Sequence, residues 1–293
     1  MAVVYALLSA LAFGTGDFLG GLSSKRVSSL IVSLVSQLAG LAVVTSVLLA
    51  VAGDAIPPVA TLVWGAAAGV GLGKGFLWYY HGLSIGQMGV VATDTAVWAA
   101  LVPVVAGFIT GERPSLLADL GIVVVIVAIG LVAPGKRTAD KTIGPARTLN
   151  QIIGLFHGAG RLHGVLAGIS YGFFFIFLGR AQVGHPLWPL GVAILVSLLI
   201  LAGAILVSRP VLELRSLRLP VLSLIGIIQA AGQLSFILAT RSGLLALVAV
   251  LAALSPVPTA VLARFVLSQT LSRRQVIGVA VALAGISLIT LGS

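Results

Sequence analysis

Three ionisable side chains, Asp17, Lys74 and Asp94, sit inside long apolar runs. An ionised group in hydrocarbon costs about 2.5 kcal/mol or more, so each is expected to face a partner or a wet cavity. Lys74, Trp78 and His81 recur at i, i+4 and i+7, which places them on one helical face. Gln87, Asp94 and Trp98 recur at i, i+7 and i+11, a second such face. Set against each other, the two faces would line a cavity with aromatic surface for an apolar body and a charge for its polar end. Asp94 is the favoured position for holding a substrate or carrying a coupled proton. Trp78 and Trp98 could add cation–π attraction to a cationic substrate. A direct Asp94–Lys74 ion pair is the competing reading. Gln229 and Gln233 lie one turn apart and could bind substrate or bridge neighbouring helices. Asp17, Lys74, Trp78, Asp94, Trp98, Gln229 and Gln233 are therefore the expected substrate or proton pathway.

Other chemistries find little support. The chain has no cysteine, which removes disulfides, thiolate catalysis and thiolate-bound metal. No paired carboxylates, histidine cluster or nucleophile elbow occurs, so neither a catalytic set nor a metal site is expected. Gly69-Val70-Gly71 lacks the strand and the acidic residue of a dinucleotide site, and no cofactor is expected. Gly65, Gly69 and Gly73 recur every fourth residue and suit close helix packing instead. Glu112 and Asp119 fall at span ends, where a structural role is expected, and Arg180, Arg241 and Arg264 are placed to snorkel.

The elements that must position these residues follow from composition. Of 293 residues, 59% are hydrophobic and only 8% are charged, and mean hydropathy is +1.19. Ordinary soluble domains carry about 25% charged residues, so a soluble enzyme, a disordered chain and a secreted stapled domain are all excluded. The net charge of +10 comes from basic residues scattered through short gaps. With no basic stripe interleaved with aromatics, that charge points to an anionic membrane face and not to nucleic acid. A bilayer core needs about 20 apolar residues per helix. Ten segments qualify, near 2–22, 30–52, 60–81, 87–110, 115–133, 161–179, 187–208, 220–240, 243–267 and 272–292. Ala10-Leu11-Ala12 resembles a signal cleavage site, but no basic residue precedes it and the apolar stretch before it is short, so the first span is read as a retained helix. The long polar gap opens with Pro134-Gly135 and carries Lys136, Arg137, Lys141 and Arg147; within it, 149–156 suits a short interfacial helix.

The chain repeats itself. Gly111-Glu112-Arg113 through Gly121 aligns with 268–270 through Gly278 at an offset of 157, and Tyr79-Tyr80 aligns with Phe236-Ile237 at the same offset. Ala12-Phe13-Gly14 aligns with Ser170-Tyr171-Gly172 at 158. The expected organisation is a first five-helix repeat over 1–133, a basic linker over 134–160 and a second five-helix repeat over 161–293. Five is odd, so the second copy enters the membrane from the opposite side. The fold class is an all-α integral membrane protein of ten transmembrane helices in two inverted repeats, the arrangement that supports alternating access. The counterparts of Asp17, Lys74 and Asp94 in the second copy are Phe175, Ala231 and Leu251, so the two copies are chemically unequal. Of the 17 Lys and Arg, 13 lie in gaps after odd-numbered spans or at the span ends beside them, and 3 in gaps after even-numbered ones. That bias places the linker in the cytoplasm and both termini outside a multi-pass cell-membrane protein.

Two five-helix halves, each closing with a Gly-Glu-like turn before a glycine-containing last helix, resemble EamA-type transporters of the drug/metabolite transporter superfamily. The carrying residues are Gly111, Glu112, Arg113, Gly121 and Gly130, then Pro256, Gln269, Gly278 and Gly285, with the aromatic–small pairs at Phe13-Gly14 and Tyr171-Gly172. Gln269 stands where the family pattern has Glu, and Ala99 stands at the expected Pro position. The resemblance implies secondary transport of a small metabolite such as an amino acid, an amine or a drug-like compound, with export the favoured direction. The partners expected are that small-molecule substrate, a coupled proton and the lipid bilayer. No ATP-binding motif is present, so the driving force is expected to be a gradient. The competing functions are a membrane-embedded enzyme acting on lipid-linked substrates and a non-transporting membrane scaffold.

Overall fold

The computed structural model describes residues 1–24, 27–51, 57–85, 88–132, 160–209, 218–268 and 272–292. Residues 134–159, including the 149–156 segment, lie outside this set, as do Gln87 and Gln269. Every regular element among the described residues is a helix. The first half holds α1 (Ala2–Ser23), α2 (Ser29–Val51), α3 (Val59–Ile85), α4 (Met88–Ile109) and α5 (Leu116–Val132). The second holds α6 (Arg161–Arg180), α7 (Leu187–Ser208), α8 (Leu219–Thr240), α9 (Leu245–Ala252), α10 (Pro256–Val266) and α11 (Arg273–Gly292). In lipid, each backbone N–H and C=O must be satisfied inside its own segment, which is why so apolar a chain resolves into helices. Counting α9 and α10 as one interrupted crossing, nine described spans have at least 18 residues, and α5 adds a tenth at 17 residues.

The ninth span corrects the expectation of one continuous helix over 243–267. It breaks between Ala252 and Pro256. Pro256 and Pro258 have no N–H, so the carbonyls of Ala252 and Leu254 lose their helical donors. The Val257 N–H reaches Leu254 O instead, at 2.9 Å, and the single Thr259 O–H is shared between Gly14 O of α1 at 2.8 Å and Ser255 O at 3.0 Å. The corresponding span of the first half carries a lone Pro103 and stays continuous.

Packing shows the inversion. Helices adjacent in sequence touch little, and the large interfaces join the two halves: α3 with α6 and α7, α1 and α2 with α8, α4 with α6, and α5 with α11. These interfaces come in mates under the 157-residue offset, α3·α6 with α8·α1 and α3·α7 with α8·α2. The α5·α11 pair maps onto itself, and its register is reciprocal. Gly121 sits against Ile289, and Gly278 sits against Val132. As residue numbers rise along α5 they fall along α11, so equivalent helices run antiparallel, as a two-fold axis in the membrane plane requires. Small residues make the approaches close. Gly65, Gly69 and Gly73 lie against Pro189, Ala193 and Ile200 of α7, and Gly226 lies against the Ser36 backbone of α2. Lipid tails are as apolar as leucine, so such backbone contact and not hydrophobic burial drives association.

The two faces of the bundle follow from this topology. Met1, Arg113, Ser115, Ser242 and Gly292 gather around a cavity of about 390 Å³ on what is here termed the terminal face. The ends of α1 and α3 and the starts of α2, α4 and α6 form the opposite, linker face.

Candidate functional site

The inner walls are α1, α3, α6 and α8. On α1, Phe13, Asp17 and Gly20 fall at i, i+4 and i+7, so one face carries all three. Phe13 packs on Phe175 of α6 with ring centroids 6.0 Å apart, and the Gly20 site lies beside the Tyr80 hydroxyl of α3. The Asp17 carboxylate is therefore directed between α3 and α6, within electrostatic reach of Tyr79, Tyr80 and Tyr171. It lies about 7 Å from the middle of α1 toward the linker face, at 1.5 Å of rise per residue. Its side chain is half-buried, and no hydrogen bond or ion pair engages it among the described residues. Tyr79 meets Tyr171 at 6.4 Å, Phe76 meets Tyr171 edge-on at 5.9 Å, and Phe175 meets Phe236 at 4.5 Å. Phe13, Tyr79 and Tyr171 are half-buried despite their inward position, so the packing leaves open space beside them, here termed the chamber.

The repeat offset gives this chamber its polarity. Asp17, Tyr79 and Tyr171 map onto Phe175, Phe236 and Phe13, so three polar positions on one side are matched by three phenylalanines on the other. A ligand there would meet a carboxylate and phenols toward the linker face and hydrocarbon toward the terminal face. Gln229 and Gln233 of α8 are 6% and 2% exposed; Gln229 packs on Gly16, and the buried Gln233 Oε1 has no donor among the described residues.

The remaining expected residues lie elsewhere. Lys74, Trp78 and His81 do share a face, but exposed Val63 and Val70 continue it, so it is the outer face of α3. Asp94 does not meet Lys74. Its two carboxylate oxygens accept hydrogen bonds from Arg161 Nε and Nη2 at 2.9 and 3.1 Å. Arg161 opens α6, where the helix dipole disfavours a cation, and Asp94 offsets that charge while tying α4 to α6. Trp98 packs against Gly168 one turn farther along the same interface. Asp94 is 16% and Arg161 32% exposed. For a pair this accessible, Asp94→Asn is expected to cost about 1 kcal/mol of stability. It should leave more than half of any transport, and the exchange Asp94→Arg with Arg161→Asp should restore the melting temperature.

Sequence reasoning missed the aromatic walls, although Phe13, Tyr79, Tyr171 and Phe236 had served as repeat markers. It also missed Glu112 as a clasp between the halves. Its carboxylate accepts the N–H groups of Leu245 and Ala246 at 2.8 and 2.9 Å, capping the start of α9. An acidic group suits a helix N-terminus because it satisfies free donors and opposes the dipole. Along α9, Ala246 to Ala252 are all buried, whereas α10 has no buried residue. The ninth span is thus enclosed by protein in its terminal-face half and uncovered in its linker-face half.

Comparison with known proteins bears on the whole assembly. Residues 158–291 match the EamA-like transporter family. A crystal structure of another protein, 18% identical in sequence, superposes with a TM-score of 0.76 over 99% of this chain and 96% of that one. At that identity the likeness shows a shared fold, and it extends across both halves. No curated protein matches the chain in sequence.

Proposed function

We propose that this multi-pass membrane protein, whose second half is EamA-like over 158–291, is a gradient-driven transporter of small amines with an apolar or aromatic body. The observation that carries the reading is the Asp17 carboxylate, unpaired among the described residues and set in an aromatic chamber where the two inverted halves meet. An ammonium group would pair with Asp17 and lie over the rings of Tyr79 and Tyr171, where cation–π attraction contributes about 1–2 kcal/mol once water is excluded. The hydrocarbon part would rest on Phe13, Phe175 and Phe236. Gln233 would offer its free carbonyl to a remaining N–H.

In this mechanism the bound cation replaces the countercharge that a desolvated carboxylate lacks. A proton on Asp17 would serve the same purpose on the return step, which exchanges amine for proton. Closure of the terminal face by Glu112 and α9, alternating with closure at α10, exposes the chamber to one side at a time. The basic linker face would be cytoplasmic, and the direction would be export. The test is flux into proteoliposomes of phenethylamine against its anionic counterpart 3-phenylpropionate. Proton-gradient-dependent uptake of the amine alone is expected; equal handling of both, or neither, refutes an amine carrier.

A further inference from the structure

The outer face of α3 offers a second, chemically opposite site. Toward the linker face, a cavity of about 710 Å³ lies between the start of α2, the linker-side half of α3 and the start of α6. Lys74, His81 and His163 line it, and no acidic residue among the described residues does. Among the described residues no carboxylate pairs with Lys74, and the buried Nδ1 of His163 has no partner. The His81 and His163 rings are 4.6 Å apart, with Trp78 5.6 Å from His163. Ser28, Ser29 and Leu30 form the α2 side, and Leu77 and the inward-lying Tyr80 complete the lining. The first helical bonds of α2 are donated by Ile31 and Val32 to Ser28 O, so the N–H groups of Ser29 and Leu30 precede them and stand at a positive helix end.

Three nitrogenous side chains, a helix N-terminus and hydroxyls around one hollow are a set suited to a phosphate group. Val63 and Val70, exposed and apolar, lie on the same face of α3 below Lys74, so an occupant of the hollow has hydrocarbon to lay along the helix. We infer that this groove binds the phosphate of an anionic phospholipid in the linker-side leaflet, with Lys74 reaching up to it from the acyl region and Trp78 at the interface. The basic bias of the linker face agrees with a leaflet rich in such lipids.

This inference does not depend on transport. Purified protein in detergent is to be mixed with dioleoyl phosphatidylglycerol or dioleoyl phosphatidylcholine, and retained lipid counted by native mass spectrometry. Phosphatidylglycerol should be retained in preference to phosphatidylcholine. Lys74→Gln should weaken its retention about fivefold, the value of one cation near an anionic surface. Lys74→Arg should keep retention, and Arg180→Gln, removing an exposed cation at the far end of α6, should not alter it. Equal retention of the two lipids in the wild-type protein overturns the assignment, and that comparison needs no variant to fold. An unchanged Lys74→Gln overturns it as well. Full displacement of the lipid by millimolar inorganic phosphate would assign the groove to a soluble anion and overturn the lipid reading.

Discussion

Asp17→Asn is expected to reduce amine flux in proteoliposomes about 100-fold while leaving expression and folding intact. Removing the charge partner of a desolvated ammonium costs about 2–5 kcal/mol, and about 2.7 kcal/mol corresponds to two orders of magnitude. Stability should move the other way or not at all. An ionised carboxylate with no partner inside a membrane protein is a cost to the fold, and Asn has the same shape without the charge. Loss of flux with an unchanged or raised melting temperature therefore separates a binding role from a structural one. Asp17→Glu keeps the charge but adds a methylene, so partial flux with a higher KM is expected. Wild-type flux in Asp17→Asn would remove this residue from the pathway, and the amine reading with it.

Glu112→Ala should release α9. The carboxylate accepts two backbone N–H groups from the opposite half, and hydrogen bonds to a charged group contribute about 1.5–3 kcal/mol each when sheltered. Glu112 is half-exposed, which discounts the pair to about 2 kcal/mol in total. That is about 30-fold in the equilibrium between a sealed and an open terminal face. The chain is free of cysteine, so Val248→Cys gives a single reporter at an α9 position that is 1% exposed. Its labelling by a membrane-impermeant thiol reagent from the terminal face should accelerate about 30-fold in the Glu112→Ala background. Glu112→Gln, which keeps one acceptor without the charge, should fall between. An unchanged labelling rate would show that the α9 seal does not depend on this clasp.

The number of crossings, the repeat offset and the inversion were legible in the sequence because each rests on length and order. Twenty apolar residues between turns suffice to place a span, and an odd number of spans per copy suffices to invert the second. Which face of a span looks inward was not legible. In water a helix advertises its buried side by hydrophobic periodicity, but here lipid and protein interior are equally apolar, and the pattern disappears. Lys74 and Asp94 illustrate the consequence: both were placed on polar-aromatic faces by spacing, yet one faces outward from α3 and the other is held by Arg161. Asp17 was identified as an ionisable group in a span, while the aromatic residues around it carried no charge to mark them. The Glu112 clasp joins positions 133 residues apart, and only the folded chain brings them together. The break at Pro256 did have a local signal, the Ser-Pro-Val-Pro run, which removes two helical donors within three residues.

The most direct test of a chamber shared by inverted halves uses the same cysteine-free background. A single Phe13→Cys variant should react with an impermeant thiol reagent from the linker face and, in turn, from the terminal face, and phenethylamine should slow both reactions. Reaction from one face only under every gradient, or from neither, would contradict alternating access around this site.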